Sequence, residues 1–361
     1  MIRKILACLG LKRITPAVEN FLPAYQHAYR AERSTTEVIW TIQTLMANVN
    51  RFHERYITSA CDLSKAFDKC TRKLMIDIFE RYNLATEDEL RILQYLLSET
   101  ELIVRINGNI GKSFKTKTGT PQGDSLSPVL FIVYLEHLMR EHQTRAPSRD
   151  KAEDYTILFA DDIKLLHHSR VERGERHTRP RESCQCINCE VKRTNKELVI
   201  SLEAGQMEVN KKKSVKGLLN KGKVIQKAKF VGGYTDTDKE ISERVAASEK
   251  AFLGMIAIFK RNSGVTKQTK IRLYNAMVKP ILMYNLWAVP FRKDHRERID
   301  RTHRRQLRYL MGYYYKEDEP MVIYQQIYIN TNSRPISVDL LRLRRTLLGH
   351  ILRRSVHNIP A

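Results

Sequence analysis

Between Tyr155 and Leu166 the chain reads YTILFADDIKLL, two apolar β-forming runs broken by the adjacent carboxylates Asp161 and Asp162. That pattern predicts a hairpin of two short strands meeting at a two-residue turn. Leu102–Ile106 and Lys112–Lys117 flank Asn107-Gly108, a strong hairpin signal because both turn residues tolerate positive φ. A strand is also expected over 56–61, running into Asp62. Helical spacing governs other stretches. Val38, Ile42, Leu45 and Val49 recur behind Ser34 and Glu37, which stand at capping-box distance, so a helix is expected over 34–49. Further helices are expected over 73–82, 87–97 and from Pro128. From Lys239 onward only helical patterns remain, over 239–261, 266–279, 296–311 and 337–354. No internal repeat is visible. The chain is therefore mixed for two-thirds of its length and helical afterwards, an α+β arrangement.

At 361 residues the chain exceeds what one compact core holds, so two domains are expected, 1–235 and 236–361. Its charge is the unusual property. Sixty-three Lys+Arg stand against 40 Asp+Glu, a net +23, which points to a polyanionic partner, nucleic acid first. Eight lysines and no acidic residue lie between Val209 and Thr235. A membrane span needs about 18–20 apolar residues, and Val129–Leu135, the longest candidate, falls far short. The opening MIRKILACLGLKR lacks a signal-peptide core and cleavage site. Six cysteines in a chain of this length are no disulfide framework, so a reducing, intracellular compartment is expected. A lysine block serves template binding as well as import, so it does not separate nucleus from cytoplasm. Residues 167–197 are polar and arginine-rich, with the character of an insertion. Its Cys184, Cys186 and Cys189, with His177 upstream, fall short of the separated ligand pairs of a structural zinc site and are read as free thiols.

Adjacent carboxylates at a turn have two readings: ordinary turn chemistry, or an oxygen cluster for a hard divalent cation. One pair does not make a two-metal site, which takes ligands from separate segments. SACDLSKAFDKC (59–70) supplies a second segment, with Asp62 at the end of an apolar strand and Phe67-Asp68 five residues on. Between the two lies TGTPQGDSLSP (118–128), where Gly119 and Gly123 let backbone approach a ligand and Gln122 offers a neutral hydrogen-bonding group.

In this order the three segments resemble motifs A, B and C of a reverse transcriptase of the non-LTR (LINE-type) retrotransposon class. Flanking stretches extend the resemblance over nearly the whole chain. YRAERSTTEVI (29–39) resembles the fingers motif, VNKKKS (209–214) the motif D lysine block and KFVGG (229–233) the primer-grip hairpin. TKIRLYNAMVKPILMYNLW (269–287) and LLGHILRR (347–354) resemble the region after the palm. The resemblance implies a right-hand polymerase palm and fingers with a helical thumb and a basic C-terminal extension. Family members usually carry an endonuclease ahead of the polymerase, and none is recognisable here. The first fingers strands also look cut short, as in a truncated element copy.

The resemblance also implies roles. Asp62 and Asp161 would bridge two Mg²⁺ ions, Mn²⁺ being a substitute, with Asp162 auxiliary and the Leu63 carbonyl an extra ligand. Phe67 would be the steric gate against a ribose 2′-hydroxyl, although spacing alone reads it as a core aromatic. Gln122 and Gly123 would pack against the incoming nucleotide and its template base. Arg30 and Arg33 are candidates for gripping the triphosphate, the alternative being surface arginines. Lys213 aligns with the lysine that protonates the leaving pyrophosphate, or it contacts backbone phosphate with its neighbours. Asp68 is expected to cap or pair locally. The arginines of RRQLR (304–308) and RLRR (342–345) are read as duplex-gripping, and Trp287, Tyr313, Tyr314 and Tyr315 as core or interface aromatics. The expected partners are an RNA template, a DNA primer or target and deoxynucleoside triphosphates. Two other readings stand beside this one: an inactive remnant that only binds nucleic acid, and an RNA-synthesising polymerase, against which Phe67 argues.

Overall fold

In the computed structural model the described residues are 2–52, 55–61, 63–98, 100–121, 123–145, 154–169, 198, 202–209, 229–234, 236–260, 263–313 and 323–353. The expected site residues Asp62, Gln122 and Lys213, the cysteines at 184, 186 and 189, and Tyr314 and Tyr315 lie outside them. The chain divides into two compact units. One comprises Met1–Ser34 and Asn48–Ile225, the other Thr35–Ala47 and Gln226–Ile359.

The first unit begins with a helix that the sequence reading did not anticipate, α1 over Ile2–Phe21. Its buried positions Ala7, Gly10, Ile14, Val18 and Phe21 fall three or four apart, one face of a helix turned inward. Small residues at 7 and 10 dilute that stripe in sequence, and Pro16 interrupts the reading. Helix α2, Thr35–Phe52, is shared between the two units. Strand β1 covers Arg55–Cys61 and β2 Leu63–Ser64, followed by a single turn, α3, at Ala66–Lys69. Helices α4 (Arg72–Arg81) and α5 (Glu87–Leu97) come next, α5 opening with a complete capping box of Thr86 and Glu89.

The Asn-Gly hairpin forms as expected. Strands β3 (Thr100–Leu102), β4 (Arg105–Ile106), β5 (Asn109–Ile110) and β6 (Phe114–Thr116) pair as one ribbon, β4 with β5 and β3 with β6. Asn107 and Gly108 both hold positive φ, 50° and 85°, the requirement of a primed hairpin turn. Helix α6 runs from Ser127 to Arg145, with Phe131, Val133, Tyr134 and Leu135 fully buried. Burial all round explains its near-continuous apolar sequence.

Strands β7 (Asp154–Phe159) and β8 (Asp162–Ser169) form the FADDI hairpin, and β1 pairs on the other edge of β8, giving the antiparallel order β1-β8-β7. A short strand β9 (Glu208–Val209) pairs with β2. One face of the sheet, through Cys61, Leu158, Ile163 and Leu165, belongs to the same hydrophobic core as α1, α4, α5 and α6.

The second unit opens on a small hairpin, β10 (Lys229–Phe230) with β11 (Gly233–Tyr234), whose turn residues Val231 and Gly232 both hold positive φ. The remainder is helical: α7 (Thr237–Gly254), α8 (Ile256–Phe259), α9 (Lys267–Met277), α10 (Lys279–Met283), α11 (Lys293–Met311), α12 (Tyr324–Asn330) and α13 (Ile336–Arg353). Two apolar clusters hold it together, one around Leu282, Leu286, Ile299 and Leu340, the other around Phe252, Tyr274, Val278 and Leu307. Trp287 packs on the first and Tyr313 on the second, so both serve as core aromatics. The start of α2 joins this unit because Thr36 donates to Asn285 Oδ1 at 3.1 Å and Ile39 packs with Ala288 and Val289. The expected boundary near 235 therefore omits residues 35–47, which reach their partners about 250 positions away. Among the described residues no helix is long and apolar enough to cross a membrane.

Candidate active site

The ladder between β7 and β8 closes with Phe159 opposite Asp162, so the turn residues are Ala160 and Asp161. Asp162 is the first residue of β8 rather than part of the turn. Ala160 holds φ at 54°, a conformation that L-residues with a Cβ rarely adopt, and the sheet on both sides enforces it. Both carboxylates are half-buried at this end of the sheet. The neighbouring strand β1 ends here as well, with Cys61 opposite Ile163. Cys61 is the residue before Asp62, and Leu63, the residue after it, is buried and pairs with Val209. Three chain segments that are remote in sequence thus converge on one end of a three-stranded sheet.

A fourth segment joins them. Gln26 bridges Leu158 in parallel, His27 N–H donates to the Leu158 carbonyl at 3.0 Å, and Leu158 N–H donates to the Tyr25 carbonyl at 2.8 Å. The chain then turns at Tyr29, which lies close enough to Asp161 to feel its charge. Partial burial, and then the Asp161 charge, hold the Tyr29 hydroxyl above its ordinary pKa. The segment is braced from behind by Glu136, which accepts from Tyr25 Oη at 3.0 Å and from Arg140 Nε at 2.7 Å. Burial raises the pKa of this carboxyl against the pull of both donors.

Tyr29 is one site residue that sequence reasoning missed, although it stands beside Arg30 in the YRAERST stretch. Lys164 is another. It lies two residues beyond Asp162 and so shares its face of the strand. Its side chain is 1 % exposed, and burial pushes the amine down to about 8. The available signal was a lysine inside an otherwise apolar strand.

Arg30 is engaged within the fold. Its side chain is 7 % exposed and paired with Glu19 at 2.8 Å. The same guanidinium donates to the carbonyls of Pro23 at 2.6 Å and Gln26 at 3.2 Å. These partners fix the segment that leads to Tyr29. Arg33 is half-buried.

Phe67 is half-buried with its ring centroid 4.5 Å from that of Phe131, and Lys65 before it takes φ 51° to turn the chain into α3. The glycine-bearing loop docks directly on this turn. Gly119 N–H donates to the Cys70 carbonyl at 2.8 Å and Thr120 N–H to the Phe67 carbonyl at 2.9 Å. Gly123 has φ 84° and open space around it. Asp68 is exposed, and its N–H closes the α3 turn on Lys65.

Oxygen donors on consecutive residues at a strand end suit a hard divalent cation. Among the described residues no group of three or more His, Cys, Asp or Glu could hold a metal, and the third expected carboxylate, Asp62, lies outside them. The C-terminal arginines are largely engaged within their own unit. Arg304 and Arg308 lie over the Tyr324 ring, Arg305 pairs with Glu249, and Arg344 donates to the carbonyls of Trp287 and Val289.

Comparison with known proteins bears on these segments together. The profile of the family described as reverse transcriptase (RNA-dependent DNA polymerase) matches residues 1–257. The RNA-directed DNA polymerase from mobile element jockey of Drosophila melanogaster is 21 % identical over 322 residues, covering 86 % of this chain and 34 % of its own length. The chain thus spans about a third of the length of that relative. Among solved structures, telomerase from Candida albicans in complex with a fragment of telomeric RNA covers 99 % of this chain and 57 % of its own, at 14 % identity and a TM-score of 0.43. Apo telomerase from Candida tropicalis covers 96 % and 57 % at 9 % identity and a TM-score of 0.46. Superpositions this loose add nothing to the sequence match. With the profile running through all four converging segments and over more than half of its length, the chain belongs to the reverse transcriptase (RNA-dependent DNA polymerase) family.

Proposed function

We propose that the chain is an RNA-directed DNA polymerase that transfers deoxynucleotides to a primer 3′-hydroxyl on an RNA template. The observation that carries this reading is the end of the β1-β8-β7 sheet, where Asp161 and Asp162 open beside Cys61, the neighbour of Asp62. Asp62, Asp161 and Asp162, with the Leu63 carbonyl, would hold two Mg²⁺ ions, or Mn²⁺ in their place. When bound, these would lower the pKa of the primer hydroxyl and offset charge on the triphosphate.

The bond formed joins the 3′-oxygen to the α-phosphorus, and the bond broken releases pyrophosphate. Lys213 is the group assigned to protonate that leaving group, and Arg33 to hold its oxygens. Phe67 is the ring assigned to meet a 2′-hydroxyl, and the Thr120 amide on its carbonyl and Phe131 against its ring support that role by holding it in place. Gln122 and Gly123 would contact the incoming nucleotide and the template base. The net charge of +23 supports an RNA template and a DNA primer or target as partners.

The test is primer extension on an RNA template with Mg²⁺ or Mn²⁺, the parent beside Asp161→Asn. Extension by the parent alone supports the reading. If neither extends while both bind primer–template, the chain is a nucleic-acid-binding remnant.

A further inference from the structure

Arg72 is the first residue of α4, outside every motif that carries the family resemblance, yet its guanidinium is the centre of a dense hydrogen-bond cluster. Nε donates to the Gly119 carbonyl at 2.9 Å. One terminal nitrogen donates to the carbonyls of Ser98 at 3.0 Å and Thr116 at 2.8 Å. The other donates to Thr116 Oγ1 at 3.1 Å and to the Thr118 carbonyl at 3.2 Å. One side chain therefore ties the end of α5, the last strand of the Asn-Gly ribbon and the glycine loop to the start of α4. Only a planar fork with five donors can serve so many carbonyls at once.

The consequence reaches the proposed nucleotide site through two further bonds. Gly119 and Thr120 donate to the carbonyls of Cys70 and Phe67, so whatever fixes the loop also fixes the turn that carries Phe67. A Cβ on Gly119 would meet Asp68 Cα at 2.8 Å, so loop and turn lie backbone against backbone, an approach only glycine allows. Its seat is set from the far side, where Arg72 holds three consecutive parts of it: Thr116, Thr118 and Gly119.

We propose that Arg72 is a positioning residue for the incoming nucleotide. It clamps the 116–120 segment against the Phe67 turn, so that the loop and the ring present one preformed wall. The guanidinium itself faces carbonyls and contacts no substrate. The inference rests on the polymerase reading for its function, although the clamp can be read independently of activity.

The experiment compares the full chain with Arg72→Lys and Arg72→Met. Hydrogen exchange over 116–121 reports the clamp, and the KM for the incoming deoxynucleotide reports its function. Primer–template affinity and the melting temperature serve as controls. Arg72→Met should speed exchange at Gly119 and Thr120 about tenfold or more. It should also raise that KM about tenfold, with primer–template affinity unchanged. Arg72→Lys, which keeps the charge but not the fork, should fall between, and it decides the matter if the Met variant does not fold. Unchanged exchange, an unchanged KM, or a KM that rises only together with lost primer–template affinity overturns the proposal. A parent that does not extend primers defeats the polymerase reading, and the exchange data then decide the clamp alone.

Discussion

Gly119 stands directly against Asp68: a Cβ on the glycine would lie 2.8 Å from the Asp68 Cα and 2.9 Å from its carbonyl oxygen. The contact is backbone on backbone, so no rotamer change relieves it, and φ at +77° already disfavours any side chain. Gly119→Ala must therefore displace the loop from the Phe67 turn. We expect it to lower the melting temperature by an amount equivalent to about 1–3 kcal/mol and primer extension by about tenfold or more. Gly123, at φ +84° with open space around it, provides the comparison. Alanine there should cost about 1 kcal/mol of backbone strain with no clash. Equal stability of the two alanine variants in thermal melts would refute the distinction.

The Phe67 and Phe131 rings pack at 4.5 Å between centroids with planes tilted by 32°, so Phe131 backs the Phe67 ring. Phe67→Ala should raise incorporation of ribonucleotides relative to deoxynucleotides by about tenfold or more, since removing a ring removes a steric rejection and no attraction. Single-nucleotide incorporation with each sugar measures this. A ratio unchanged from the parent would return Phe67 to the rank of a core aromatic.

Arg30 holds Glu19 and two carbonyls from a nearly closed position, so its removal leaves several acceptors without a donor. Arg30→Ala should cost about 2 kcal/mol, read as a fall in melting temperature. Arg33→Ala should leave stability within about 0.5 kcal/mol and raise the KM for deoxynucleotides instead. The reverse pattern would assign the triphosphate to Arg30 and not to Arg33.

His303 is fully buried, with Nδ1 2.8 Å from the Tyr274 hydroxyl, which itself donates to Gln306 Oε1 at 2.8 Å. Burial, and then the charge of Lys279, push its pKa from 6.5 down to about 3. Below pH 6.5 the unfolded chain binds a proton that the folded chain refuses, so this residue makes stability fall as pH drops from 6.5 towards 3. From pH 7 to pH 5 the loss should be about 2 kcal/mol. His303→Gln should flatten that part of the profile in urea denaturation. A slope identical to the parent's would mean that the imidazole accepts its proton in the fold.

Much of the local architecture was legible in advance. The Asn107-Gly108 turn, the FADDI hairpin, α4, α5 and α6, and the run of helices after Lys239 all follow from periods of 2 and 3.6 residues with their breakers. Helix α1 escaped because its buried face carries Ala7 and Gly10, residues too small to mark a stripe. The turn of FADDI was placed one residue late, because two adjacent aspartates look like a turn and the ladder instead draws Asp162 into β8.

The sequence by itself determined the family and nominated the carboxylates, Phe67 and the glycine loop, because each motif is a short contiguous string whose residue types carry their own chemistry. Only the tertiary structure decided what those strings meet. It set Arg30 against Glu19, seated Tyr25–His27 along β7 and drew residues 35–47 towards Asn285. It also gathered Thr116, Thr118 and Gly119 around Arg72, and buried Lys164 beside Asp162. A hydrogen bond between residues tens or hundreds of positions apart leaves no periodic trace in the chain. It exists because buried carbonyls and guanidinium donors must find partners once the core has closed around them.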